Sequence, residues 1–234
     1  MEELIKIENL SKSFTTHHLD KTINPIKDLS LTVNKGDFLG IVGKSGSGKS
    51  TIIKCIYRTY TTSSGHIWYE SKDFGRVDLS SLEERKIIQL RKNEIGYVSQ
   101  FLNIMPRTTS LDLVINSCLE TGASYAEAEK IAKETLRHFD LDEELWDSYP
   151  NTFSGGEKLR LNISVAIVKK PRLLLLDEPT ASLDNLSKIK VRESIEKLKA
   201  EGTTMIGIFH DIEFMEGLTD KIFYLGENRM EVEN

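Results

Sequence analysis

The chain has 234 residues, with 31 basic and 36 acidic side chains, so its formal charge at pH 7 is −5. Its 39% hydrophobic and 29% charged residues are typical of a folded protein, and its apolar runs are far shorter than the ~20 residues that span a bilayer. With only two cysteines, no recognisable secretory signal and a net acidic balance, the sequence predicts a cytoplasmic, single-domain protein without a nucleic-acid partner.

The first third of the chain predicts β-strands. Short apolar runs at residues 4–7, 29–33, 38–42 and 66–69 are separated by turn-forming residues. Residues 15–25 are mostly polar and contain two adjacent histidines and a proline, so they predict a loop.

The middle and last thirds alternate between helices and strands. Residues 80–91 predict a helix, and Ser124 and Glu127 have the spacing of a capping box that opens another. Apolar strands at 173–176, 204–209 and about 221–225 then alternate with two predicted helices, one at about 186–200 and one between the last two strands. This alternation predicts a parallel sheet that is covered by helices on both faces.

Residues 43–50 match the phosphate-loop pattern G-x-x-x-x-G-K-S, between an apolar strand and a helix that begins near Thr51. Glycines let backbone N–H groups turn towards an anion, Lys49 can reach the β- and γ-phosphates, and the Ser50 hydroxyl can ligate magnesium. A chance glycine-rich loop is the alternative, which the flanking strand and helix disfavour. By itself, the motif indicates only a nucleotide phosphate.

A run of four leucines at 173–176 leads into Asp177 and Glu178. This order predicts two carboxylates at the carboxyl end of a buried strand, where open α/β sheets bind their ligands. Asp177 suits the magnesium sphere, and Glu178 suits orienting or deprotonating an attacking water.

A second candidate anion site is Ser154-Gly155-Gly156, which precedes another predicted helix. An ordinary glycine-rich helix start is the alternative interpretation. Gln100 follows a strand predicted at residues 94–98, Asp184 (in Ser182-Leu183-Asp184) follows the leucine strand at 173–176, and His210 follows the strand at 204–209. Single polar residues at such positions are usually structural, but these three fall near the predicted phosphate site.

The order and spacing of these motifs resemble those of ATP-binding cassette (ABC) ATPases over essentially the whole chain. The resemblance implies an α/β P-loop fold with a mainly parallel core sheet, an antiparallel β-subdomain and a helical subdomain that carries the signature motif. It implies one domain over residues 1–234, in which residues 1–98 and 165–234 form the core and β-subdomain and residues 99–164 form the helical subdomain.

The resemblance also implies ATP and Mg²⁺ as cofactors and assigns a role to each motif residue. The implied catalytic residues are Lys49, Gln100, Glu178 and His210, and the implied magnesium ligands are Ser50, Gln100 and Asp177. The implied ATP contacts are Phe14, where the family places an aromatic residue on adenine, and Gly43, Lys44, Ser45, Gly46, Ser47, Gly48, Lys49, Ser50 and Thr51. Across a head-to-tail pair, the implied contacts are Ser154, Gly155, Gly156, Glu157 and Asp184.

A narrower resemblance rests on residues 98–107, Trp146, Phe153 and residues 207–211. These resemble the PhnL-type cassettes of the bacterial carbon–phosphorus lyase pathway for phosphonate breakdown. The implied partners are a second cassette, either another copy or a PhnK-like sister ATPase, and the multi-subunit lyase core.

Two other functions compete with this one. Membrane transporters of the lipoprotein-release or export type use cassettes with the same motifs, and residues 101–117, after Gln100, are the surface that would contact a membrane subunit. The apolar residues of this segment could equally belong to the core of the helical subdomain: Phe101, Leu102, Ile104 and Met105. A non-catalytic nucleotide sensor is the third hypothesis, which the presence of Glu178 and His210 disfavours.

Three positions depart from the usual cassette pattern. Phe153 and Glu157 stand where most cassettes carry Leu and Gln, and Val165 stands where an Arg is usual. Because the phosphate-facing Ser-Gly-Gly is intact, ATPase activity is expected.

Overall fold

The computed structural model describes residues 2–16, 21–99, 107–180, 183–209 and 212–232. In chain order its strands are β1 (Glu3–Thr16), β2 (Lys21–Asn34), β3 (Phe38–Val42), β4 (Ser64–Ser71), β5 (Gly75–Asp78), β6 (Ile95–Val98), β7 (Leu173–Asp177), β8 (Thr204–Ile208), β9 (Lys221–Tyr224) and β10 (Arg229–Val232). Its helices are α1 (Lys49–Ile56), α2 (Glu84–Asn93), α3 (Ser110–Leu119), α4 (Tyr125–His138), α5 (Gly155–Ile167), α6 (Asn185–Ala200) and α7 (Ile212–Met215). Within the described ranges, no helix is both long and apolar enough to cross a membrane.

The core of the fold is a six-stranded sheet with the order β10-β9-β3-β8-β7-β6. Strands β9, β3, β8, β7 and β6 are parallel, and only the edge strand β10 runs antiparallel to its neighbour. The sheet is fully buried along β3, β7 and β8, as expected for parallel strands that are covered on both faces.

Side chains on the two faces of this sheet pack into two different hydrophobic clusters. Leu173 and Leu175 of β7 point into a cluster that includes α1 and the antiparallel strands, whereas Leu174 and Leu176 point into a cluster with α5 and α6. Because side chains alternate along a strand, the run of four leucines supplies both cores at once.

A separate antiparallel sheet has the order β2-β1-β4-β5. Its longest element is the β1–β2 hairpin, so the predicted loop over residues 15–25 is wrong: β1 extends to Thr16, β2 begins at Lys21, and Phe14 pairs with Ile23. The hairpin tolerates Pro25 because a register irregularity lies between the pairs Lys12–Ile26 and Phe14–Ile23.

Helices α3, α4 and α5 enclose a third cluster, to which Trp146 and Phe153 contribute. The predicted capping box at the start of α4 is confirmed, since the Ser124 and Glu127 side chains each accept the other's backbone N–H. The helix predicted from residue 80 begins later, at Glu84, because Asp78 accepts the backbone N–H of Ser80 and holds that segment in a turn.

Glu94, which directly precedes β6, is buried and links the two sheets as a joint through hydrogen bonds with β4. Its carboxylate accepts hydrogen bonds from the Tyr69 hydroxyl at 3.2 Å, the Ser71 hydroxyl at 2.7 Å and the Lys72 backbone N–H at 3.0 Å. Arg172, which precedes β7, lies 3.7 Å away, and only 3% of Glu94 is exposed. Burial and this neighbouring carboxylate raise the pKa of Tyr69, which therefore stays a hydrogen-bond donor.

We expect Glu94→Ala to lower the free energy of unfolding by about 3 kcal/mol, because it leaves several buried donors and the Arg172 charge without their partner. Tyr69→Phe, which removes one of these bonds, should cost only about 1 kcal/mol. Urea denaturation measures both values. Equal losses for the two variants would contradict the role of Glu94 as a joint.

Candidate functional site

The site lies at the carboxyl edge of the core sheet. Strand β3 runs into the phosphate loop, β7 ends at Asp177, and β6 ends just before Ser99. Since these strands are parallel, their ends lie on one edge. Gln100, Ser182 and His210, which follow β6, β7 and β8, lie outside the described residues, as do Phe101, Leu102, Ile104 and Met105.

The phosphate loop connects β3 to the N-terminus of α1. Gly48 caps this helix with a left-handed backbone (φ +103°), and a Cβ there would lie 2.5 Å from the Pro25 carbonyl oxygen, so only glycine fits. Lys44, Ser45 and Gly46 are exposed at the tip of the loop. The loop thus presents the N-terminus of α1 to the solvent side of the sheet edge, as an anion site requires.

Lys49 braces this loop from inside. Its Nζ donates to the carbonyl oxygens of Gly43 at 2.9 Å and Lys44 at 3.1 Å, and only 4% of the residue is exposed. Burial lowers the pKa of Lys49, while the nearby Glu178 carboxylate acts in the opposite direction. An ammonium group held at the mouth of the loop is placed to pair with a bound phosphate.

Asp177 and Ser50 form the candidate magnesium site. The Ser50 hydroxyl donates to Asp177 Oδ1 at 2.8 Å, and the Tyr97 hydroxyl donates to Oδ2 at 2.8 Å. A hydroxyl and a carboxylate at this separation are the oxygen donors that Mg²⁺ prefers. Nearby, the Ser47 hydroxyl is buried and has no hydrogen-bond partner in the described chain, which fits a loop built to receive a further polar group. The residues present therefore fit Mg²⁺ and a nucleotide phosphate.

Glu178 follows Asp177 with a left-handed backbone (φ +54°). This conformation costs a non-glycine residue on the order of 1 kcal/mol and turns the chain sharply at the end of β7. The turn brings Glu178 into the wall of the cavity beside the phosphate loop. Its carboxylate is thus separated in role from Asp177, which faces Ser50.

A cavity of about 350 Å³ lies between the phosphate loop and Glu178. Its lining combines residues of the loop with an apolar wall: Phe14, Ile23, Pro25, Gly46, Gly48, Lys49, Ser50, Thr51 and Glu178. The Phe14 ring meets Tyr60 edge to face at 5.2 Å and carries the Lys12 ammonium 4.8 Å from its centroid. An aromatic ring beside a phosphate cradle suits a nucleobase. A larger cavity of about 540 Å³ lies among the C-terminal ends of α4, α5 and α6 and contains none of the predicted site residues.

The second predicted anion site is a capped helix N-terminus that lies outside the 350 Å³ cavity. Ser154 caps α5: its backbone N–H donates to Glu157 Oε2 at 2.7 Å, and its hydroxyl accepts the Glu157 N–H at 3.3 Å. Gly155 is exposed and Gly156 is buried. None of these four residues lines the 350 Å³ cavity, so one chain carries two separate cradles.

Asp184 lies at the same corner as this second cradle. It caps α6 by accepting the Ser187 backbone N–H at 2.9 Å and the Ser187 hydroxyl at 3.0 Å, and these bonds lower the pKa of Asp184. A Cβ on Gly156 would lie 2.6 Å from the Ser187 Oγ. The start of α5 therefore packs directly on the start of α6.

The three residues that depart from the usual cassette pattern all pack or hydrogen-bond within the helical part of the fold. Phe153 is buried in the third cluster, and Val165 packs against the same cluster. Glu157 completes the capping box that opens α5. Each residue thus stabilises the helical part that presents Ser154 and Gly155.

Sequence reasoning missed several residues that support the site. Tyr97 hydrogen-bonds Asp177, Ile23 lines the cavity, and Ser187 packs under Gly156. Asn162 of α5 donates to the Ser99 carbonyl at 3.0 Å and so ties the signature helix to the end of β6. No short sequence pattern marks these contacts, because each joins segments that are distant along the chain.

Comparisons with known proteins agree with this geometry. The ABC transporter family profile matches residues 26–181, about two thirds of the chain. The glutamine transport ATP-binding protein GlnQ of Escherichia coli (strain K12) is 32% identical over 228 residues, which cover 97% of this chain and 89% of that protein. The lipoprotein-releasing system ATP-binding protein LolD of Aquifex aeolicus is 32% identical over 216 residues, which cover 92% of this chain and 91% of that protein.

A solved structure extends the likeness to three dimensions. The dimeric post-hydrolysis state of the ATP-binding cassette MJ0796 of Methanocaldococcus jannaschii, bound to ADP and Pi, matches with a TM-score of 0.88 and 28% identity over 99% of both chains. This match confirms the predicted fold class. The chain therefore belongs to the ABC transporter family, as one of its ATP-hydrolysing cassettes.

Proposed function

We propose that this ATPase hydrolyses Mg-ATP at composite sites in a head-to-tail pair of cassettes. The observation that carries the proposal is the presence of two separate amide-lined helix N-termini on one chain, at α1 and at α5. Only the first lies in the cavity with Phe14 and Glu178. The second cradle is then free to complete the cavity of another cassette, as expected for a closed, symmetric pair.

Within the proposed site, the residues divide by chemistry. The loop amides and Lys49 bind the β- and γ-phosphates, while Phe14 and Ile23 contact the base. Ser50 and Asp177, together with Gln100, hold Mg²⁺, which neutralises charge on the phosphate oxygens.

The remaining groups act on the bond that breaks. Glu178 orients or deprotonates the attacking water, and His210 contacts the γ-phosphate. From the second cassette, the Ser154–Glu157 segment and Asp184 approach the same phosphate, so that the helix dipole of α5 stabilises the developing charge. Support for the pair comes from the dimeric MJ0796 cassette, whose solved structure holds ADP and Pi.

Mixing two inactive variants tests the composite site. Lys49→Ala removes the ammonium group of one cradle, and Gly155→Asp places a carboxylate on the exposed start of the other. Each variant alone should be nearly inactive. An equimolar mixture should recover about a quarter of wild-type ATPase activity, because half of the dimers are mixed and each mixed dimer has one intact site of two.

The matched control mixes Lys49→Ala with Asp177→Asn, two changes in the same cradle, which leave no intact site in any dimer. Recovery in this control, or none in the first mixture, would contradict the head-to-tail arrangement. If the purified wild-type chain is active only with a sister cassette, the complementary changes are divided between the two proteins.

Glu178→Gln should slow hydrolysis by at least ~100-fold, the usual contribution of a general base, and leave ATP affinity within about twofold. With Mg-ATP the variant should accumulate as a dimer in size-exclusion chromatography. Glu196→Gln is the control, because it removes an exposed carboxylate paired with Arg192 on α6. Wild-type turnover in Glu178→Gln would exclude a catalytic role for this residue.

We further propose that the cassette serves the carbon–phosphorus lyase system in the cytoplasm, where ATP is available. This proposal is supported by the resemblance of residues 98–107 and 207–211 to PhnL-type cassettes. Trp146 and Phe153, the other two positions of the resemblance, are core residues of the third cluster. Under this proposal, the partners of the cassette are the lyase core and a second cassette, which is either a PhnK-like sister ATPase or another copy of this chain.

The alternative function is that of the ATP-binding subunit of a membrane transporter, which the names of GlnQ and LolD favour.

Affinity purification from native cells grown on a phosphonate as the phosphorus source separates these two functions. The tagged chain should recover subunits of the lyase complex from the fraction without membranes. Recovery of an integral membrane permease from detergent extracts, with no lyase subunits, would favour the transporter. Cells grown on inorganic phosphate provide the control.

A further inference from the structure

Asp177 is held at both of its carboxylate oxygens. Oδ1 accepts the Ser50 hydroxyl and Oδ2 accepts the Tyr97 hydroxyl, each at 2.8 Å. Only 5% of Asp177 is exposed, so water cannot readily replace either donor. A carboxylate that is bound in this way has one orientation, with Oδ1 turned towards Ser50.

Tyr97 is itself held in place by a stack of side chains. Its ring lies on Tyr57, with centroids 4.8 Å apart and planes inclined by 22°. Arg91 clamps Tyr57 in turn: its guanidinium lies 4.7 Å from the Tyr57 ring centroid, and its Nε donates to the Tyr57 carbonyl at 2.8 Å. The stack therefore runs from α2 through the C-terminal end of α1 to β6 and fixes the position of the Tyr97 hydroxyl.

We propose that Tyr97 is a positioning residue for the magnesium site: its hydroxyl fixes the orientation of Asp177 and keeps Oδ1 beside the Ser50 hydroxyl, where the two residues would hold Mg²⁺. This proposal rests on the assignment of Ser50 and Asp177 to Mg²⁺ made above. The Tyr97 hydroxyl donates to Oδ2, and Tyr97 does not line the 350 Å³ cavity, so its role is exerted through Asp177. Groups that hydrogen-bond a metal ligand typically change metal affinity by 10–100-fold when they are removed.

The structure offers a matched control for this role. Tyr57→Phe and Tyr97→Phe each remove one hydroxyl from the same stacked pair and leave both rings in place. Only the Tyr97 hydroxyl bonds Asp177; in the described chain, the Tyr57 hydroxyl has no hydrogen-bond partner. A difference between the two variants therefore reports the Tyr97–Asp177 bond and not the packing of the stack.

The test is a titration of Mg²⁺ into each protein with a fluorescent ATP analogue, with binding in EDTA measured separately. Tyr97→Phe should need about 10–100-fold more Mg²⁺ for half-maximal enhancement of nucleotide binding, while its affinity in EDTA is unchanged. Saturating Mg²⁺ should restore wild-type binding, which a misfolded variant would not do. Tyr57→Phe should behave as the wild type.

Two results would overturn the proposal: a wild-type Mg²⁺ requirement in Tyr97→Phe, or an equal increase in both variants. The Asp177→Asn variant distinguishes a failure of the role proposed for Tyr97 from a failure of the magnesium assignment itself. If Asp177→Asn raises the Mg²⁺ requirement and Tyr97→Phe does not, only the role of Tyr97 is wrong. If Asp177→Asn also titrates as the wild type, the magnesium assignment fails and the role of Tyr97 fails with it.

Discussion

The hydrogen bond from Ser50 to Asp177 joins the two halves of the candidate site across 127 residues of sequence. Its donor opens α1 and its acceptor ends β7, yet β3 and β7 are not neighbours, because β8 lies between them. The bond therefore depends on the strand order of the core sheet and on parallel strands ending at one edge. The phosphate loop, the acidic strand end and the cavity wall take their relative positions from this constraint.

Local signals in the sequence predicted the elements that local chemistry determines. The phosphate loop lies between β3 and α1 as expected, and the Ser124 capping box opens α4. Ser154 and Glu157 have the same spacing and form a second capping box, at the start of α5. Hydrogen bonds within three or four residues are specified by the sequence around them, so patterns of this kind can be read directly.

Contacts between distant segments were not predictable in the same way. The polar residues 15–25 indicated a loop, but the pairing of Phe14 with Ile23 extends both strands of the hairpin. The bond from Tyr97 to Asp177 depends on the register of β6 beside β7, and the burial of Glu94 depends on two sheets meeting. None of these arrangements has a short sequence pattern, because each is set by tertiary packing.

The packing of Gly156 on Ser187 has a consequence for how this corner can change in evolution. A side chain as small as a methyl group at position 156 would lie 2.6 Å from the Ser187 oxygen and 2.8 Å from its Cβ. Volume, more than polarity, thus limits the choice at position 156. Among homologues of this chain, any residue larger than glycine at position 156 should coincide with glycine at position 187, which alone lacks both of these atoms, so that the two sites vary together.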